Sequence, residues 1–149
     1  MLYIRHRYGR ENYPLLLGGI EQGRNVKLYE FSVLPDAVVT VRDQIGTAMK
    51  ESGCPDRLIN RTIVIFEELF MLIADRNPGR TVHAECAVEI GESIRLVTKD
   101  DGQILDLTDA DSRVSSLRAY ALSNMLGAHT TRRVHSLALS YNHNALEIR

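Results

Sequence analysis

The chain is short of several things, and each shortage closes off a class of protein. It has no tryptophan, three phenylalanines and six tyrosines in 149 residues. Stacking platforms for single-stranded nucleic acid are therefore scarce. The formal net charge is -1, which supplies no bulk attraction for phosphate backbones. The pair Arg132-Arg133 reads as a small solvated patch and not as a nucleic-acid footprint. The two cysteines, Cys54 and Cys86, match no metal or redox spacing, which points to a reducing, cytoplasmic setting. No apolar run reaches the length of a membrane span, and no secretory signal opens the sequence. His83, His129, His135 and His143 show no metal-ligand spacing and are expected at the surface. Ser115 and Ser116, with only distant histidines, form no hydrolase triad.

What is present suits one globular domain with a real core: 44% hydrophobic and 25% charged residues. The pattern divides into an arm over 1–26, basic at RHRYGR, and a domain over 27–149. The centre of the domain is 58–79, LINRTIVIFEELFMLIADRNPG. Ile59, Ile63, Phe66, Phe70 and Ile73 recur at helical steps, and Leu58, Thr62, Ile65, Leu69 and Leu72 fill a second face. The helix is thus expected to be buried on more than one side. Asn77-Pro78-Gly79 stops it. Glu67 and Glu68 lie within this apolar run, and a buried carboxylate is costly unless paired or used.

The flanking segments follow the same logic. Residues 27–33 alternate as a strand. A helix follows Leu34-Pro35-Asp36 to about Ser52, with Asp36 as its expected cap. Residues 81–90 and 93–99 alternate on either side of Gly91-Glu92 and read as a hairpin. A polar loop over 107–113 leads to a helix over 114–126. A last hairpin is expected over 130–140 and 145–149, turning at Tyr141-Asn142-His143-Asn144. The expected fold is an α+β two-layer sandwich, a mixed, mostly antiparallel sheet with helices on one face.

The order of these motifs resembles the histidine-kinase-type ATPase family, shared by sensor kinases, gyrase-type ATPases and anti-sigma-factor serine kinases. The similarity is strongest to the anti-sigma-factor branch. It rests on Leu34-Pro35, Gly53-Cys54-Pro55, Glu67-Glu68, Pro78-Gly79 and Asp100-Asp101-Gly102 with Asp106 beyond. By this resemblance Glu68 is the candidate catalytic base. Asp100, Gly102 and Asp106 would meet the adenine of ATP, and Ser115 and Ser116 the phosphates. The family's magnesium asparagine falls at Leu72, which offers no oxygen to a hard cation. Asp75 stands where the family often has a basic residue, and the family's glycine-rich lid falls on 111–118, which has no glycine. The family's late adenine-pocket threonine falls at Ala145. Asn77 reads as a helix-end residue.

The resemblance therefore implies a diverged domain: a regulatory protein-binding module with weak or lost ATP and magnesium binding, a protein partner and a homodimer. An active ATP-dependent serine protein kinase is the alternative. The basic arm raises a further one, a cytosolic tail tethered through its N-terminus to a multipass membrane protein.

Overall fold

The computed structural model describes residues 25–105, 129–136 and 139–149, and within the two late stretches the side chains of 133–134 and 140–149. The elements run β1 (Val26–Ser32), α1 (Pro35–Glu51), α2 (Asp56–Asp75), β2 (His83–Ile90), β3 (Ile94–Asp100), β4 (His129–Ser136) and β5 (Leu139–Ile148).

Helix α2 forms where the apolar spacing is most helical, and it begins after Pro55, whose fixed backbone suits a helix entrance. Asp56 sits in its first turn, where a negative charge suits the helix dipole. The chain leaves through Gly79, whose φ of +74° is open to glycine at little cost. Eight of its side chains are buried, from Leu58 to Ile73, on the two expected faces. Helix α1 starts two residues earlier than a cap at Asp36 implies. Leu34 occupies the N-cap without a side-chain bond, and Asp36 lies inside the first turn.

The five strands form one sheet in the order β1-β2-β3-β5-β4, and every described pairing is antiparallel. The sheet is therefore less mixed than the sequence suggests. Two hairpins, β2–β3 and β4–β5, and the long β1–β2 connection through both helices each reverse the chain direction. The α+β two-layer sandwich is otherwise as expected.

The core lies between the helices and one sheet face. Ala84, Cys86, Val88 and Ile90 of β2 meet Ile94 and Leu96 of β3, and Leu146 and Ile148 of β5, under Phe66, Leu69, Phe70 and Ile73. Each buried Val, Leu, Ile or Phe among them contributes about 1.5–3 kcal/mol. Phe31 of β1 joins Phe66 and Phe70 in a cluster with ring centroids 4.8–5.9 Å apart. Burial also pushes the Cys86 thiol pKa up, so this cysteine acts as a small hydrophobe and not as a nucleophile.

The last hairpin is displaced from its expected place. Tyr141-Asn142-His143-Asn144 does not turn. All four residues are strand: Asn142, His143 and Asn144 pair with Asp100, Lys99 and Thr98 on β3, Tyr141 pairs with Val134 on β4, and the chain reverses between Ser136 and Leu139. Asparagine favours turns by bonding its local backbone, but here both asparagines lie on the helix-facing side, and Asn142 bonds across the sheet to Asp100 and Arg133 instead.

Candidate functional site

Ladder register sets Ala84, Asp100, Asn142 and Arg133 in one transverse row on the helix-facing side, at the end of the sheet nearest the C-terminus of α2. A carboxylate at 1% exposure needs donors. One oxygen, Oδ1 of Asp100, accepts from the Gly102 N–H at 3.0 Å and from Nδ2 of Asn142 at 2.9 Å. The other, Oδ2, is buried with no hydrogen-bond partner among the described residues. Burial raises the Asp100 pKa to about 6, against the pull of the Asn142 and Gly102 hydrogen bonds and the Arg133 charge.

Gly102 is needed for close approach. A methyl group there would stand 2.9 Å from both Nδ2 of Asn77 and Oδ1 of Asp100. Asn77, 4% exposed, pins the turn to α2: its Nδ2 donates to the Ile73 carbonyl at 2.7 Å, and its Oδ1 accepts from the Gln103 N–H at 2.9 Å. Asn142 bonds three partners besides Asp100. Its Nδ2 also donates to the Gln103 carbonyl at 2.8 Å, and its Oδ1 accepts from the Leu105 N–H at 3.2 Å and Nη1 of Arg133 at 3.0 Å. Nη1 of Arg133 also donates to the Gly102 carbonyl at 2.9 Å. Arg133 is thus part of the joint and not a solvated patch, and Asn77 is more than a helix end.

The expected site residues divide sharply. Asp100 and Gly102 are joined by the hydrogen bond from the Gly102 N–H to Oδ1 of Asp100. Glu68 is half-buried on α2, roughly two turns before Asn77. Its neighbour Glu67 accepts a 2.8 Å bond from Nη1 of Arg42 on α1, so half of the acid pair fastens one helix to the other. Asp106, Ser115 and Ser116 lie outside the described residues, as do the expected loop over 107–113 and helix over 114–126. Ala145 pairs with Val97 on the sheet face away from the helices, so it does not stand beside Asp100. Asn142 and Asn144 do share the face of Asp100. His143 is 4% exposed, contrary to its expected surface position. His83 is exposed, with its Nδ1 3.5 Å from the Ser32 hydroxyl.

Two implied ligands fare differently against these residues. Magnesium does not fit at Leu72, which is 1% exposed within the apolar core cluster. Oδ2 of Asp100 is an unsatisfied acceptor, whose chemistry is that which an N–H donor such as the amino group of a nucleobase would satisfy. Among the described residues no group of histidine, cysteine and acidic side chains gathers to hold a metal ion. No described helix is long and apolar enough to cross a membrane.

Fold and site together define a class: an α+β sandwich whose sheet and central helix are joined at one end by a buried polar network around an aspartate. No family model matches the chain, and no curated protein matches it.

Proposed function

We propose that the chain is a diverged histidine-kinase-type ATPase domain that works as a regulatory, protein-binding module. Its nucleotide recognition is reduced to the base end. The observation that carries this reading is the contrast between Asp100 and Leu72. Asp100 keeps a buried acceptor without a hydrogen-bond partner among the described residues, while the position that would hold magnesium is hydrocarbon sealed in the core. Phosphoryl transfer depends on positioning and neutralising phosphate charge. A domain without the metal position binds a nucleotide through its base and leaves the phosphates in place.

Calorimetry on the full chain with ATP, ADP and adenosine, each with and without magnesium, tests this. The expected result is weak binding that is similar for all three, indifferent to magnesium and lost in Asp100→Asn. Magnesium-dependent tightening for ATP over adenosine, with phosphate transferred to a serine of a partner protein, would establish the kinase alternative instead. A stable dimer in light scattering without nucleotide is expected of the regulatory module.

A further inference from the structure

The two oxygens of the Asp100 carboxylate are placed differently. A carboxylate oxygen has room for about two hydrogen bonds. Oδ1 holds two, from the Gly102 N–H and from Nδ2 of Asn142. Oδ2 is buried and holds none. The donors on Oδ1 cannot exchange roles. A backbone N–H only donates. Asn142 makes four bonds: its Oδ1 accepts from the Leu105 N–H and from Nη1 of Arg133, and its Nδ2 donates to Asp100 and to the Gln103 carbonyl. Turning this amide over would set its oxygen against the carboxylate and the carbonyl, and its N–H groups against two donors. Arg133 fixes the far end of the row, because a guanidinium stays charged and has no acceptor. Oδ1 is thus an acceptor in both protonation states of Asp100, and a proton taken up by the carboxyl goes to Oδ2.

We propose that Asp100 is a proton-gated acceptor, at which a proton and the N–H donor of a ligand compete for Oδ2. The identity of the ligand rests on the nucleotide reading, and the competition rests on the bonds to Oδ1. With Asp100 ionised, Oδ2 accepts from the amino group of a base. With Asp100 protonated, Oδ2 carries its own hydrogen and meets that amino group as donor against donor. Binding of the amino group therefore displaces the proton to the solvent. Two charged groups act on the carboxyl. Arg133 on β4 favours its charged form, and Asp101, whose carboxylate lies 3.8 Å from Arg80, disfavours it. The rest of its row is Phe31 of β1, Ala84 of β2 and Asn142 of β5, and Asn77 follows α2 beside Gly102; none of these is charged. Burial outweighs the two hydrogen bonds and Arg133, so the carboxyl titrates at about 6. The acceptor is in place above that pH and is lost as pH falls through it.

Calorimetry with adenosine, and nuclear magnetic resonance of the free chain, test this on the full protein. Adenosine is expected to bind about tenfold more weakly at pH 5 than at pH 7. At pH 6 its binding is expected to release about half a proton, read from the heats in buffers of different ionisation enthalpy. Purine riboside, which lacks the amino group, is expected to bind more weakly and without this pH dependence. In the free chain the Asp100 carboxyl carbon is expected to titrate near the same pH. The Gly102 amide and the Asn142 side-chain amide are expected to keep their protection on both sides of it, once the intrinsic pH dependence of exchange is removed. Arg133→Gln is expected to move the carboxyl midpoint and the adenosine profile upward together. Adenosine affinity that stays level between pH 5 and pH 7, or binding without proton release, overturns the proposal. So does loss of Gly102 or Asn142 protection in acid, which would place the proton on Oδ1. Absence of adenosine binding at every pH overturns the nucleotide reading and with it the ligand half of the proposal, while protection in the free chain still decides which oxygen takes the proton.

Discussion

Asp100 is a carboxylate held in an unfavourable, buried site. Its pKa of about 6 stands above the roughly 3.9 of an unperturbed aspartate. Between those two values the native state holds a proton that the unfolded chain has released. Its contribution is fully present below about pH 4 and is lost as pH rises through about 6. The shift corresponds to about 3 kcal/mol by neutral pH. Asn at this position keeps an acceptor for Gly102 and Asn142 without the buried charge. Urea unfolding of Asp100→Asn is therefore expected to show stability, relative to the wild type, rising by about 2–3 kcal/mol between pH 4 and pH 8. A relative stability that stays level over this range would mean the carboxylate is not held in an unfavourable site. Gly102→Ala tests the approach of the turn to α2. Its methyl must displace Asn77 or the Asp100 carboxylate, both fixed by hydrogen bonds. The expected cost is about 1–3 kcal/mol in chemical denaturation, and near-neutral behaviour would show that the joint is slack.

The elements differ in how openly the sequence announces them. Helix α2 is legible because its burial is local and periodic: the spacing of Phe66, Phe70 and Ile73 needs no partner to be recognised. Strands β2 and β3 are legible for the same reason, with a single turn at Gly91 between them. Strand β5 was hidden by composition. Its asparagines suit a turn by propensity, and only the pairing with β3 gives them cross-strand work. A signal was present all the same. Alternation in ALEI, carried back past Ala145, puts Asn144 and Asn142 on the inward side with Leu146 and Ile148. Arg133 and Asn77 gave no such signal, because each also bonds a backbone group of the Gly102-Gln103 turn, distant in sequence. Leu72 puts a prediction at this scale. Since it sits in the core of α2, Leu72→Asn is expected to lose about 2–4 kcal/mol in thermal or urea unfolding and to gain no magnesium-dependent nucleotide affinity. A gain in such affinity would mean that the helix opens onto a metal site after all.

Among the described residues, the sheet has three interior strands and two edges. β2, β3 and β5 are paired on both sides, while β1 and β4 each have one described neighbour. Local opening at an edge breaks one ladder, and opening in the interior breaks two. Native-state hydrogen exchange is therefore expected to be slowest for amides around Cys86, Leu96 and Leu146, and to approach global unfolding there. The amides of β1 facing away from β2 are expected to exchange faster. Equal protection for both sets would mean that the outer edge of β1 is itself covered. The whole-molecule order, one helix pair between β1 and β2 and two hairpins after it, was legible as a sequence of elements. The sheet order β1-β2-β3-β5-β4 was not, because neighbour choice rests on contacts far apart in the chain.

The three-ring cluster at Phe31, Phe66 and Phe70 has a practical side. These are all the phenylalanines the chain possesses, and there is no tryptophan to mask them. The fine-structured phenylalanine bands of the near-ultraviolet circular dichroism spectrum thus come from one place, the seam between β1 and α2. The protein carries a built-in optical gauge for that seam. Loosening there dims these bands, while the broader tyrosine signal pools six side chains, among them Tyr29, which packs on the same core, and Tyr141 on β5.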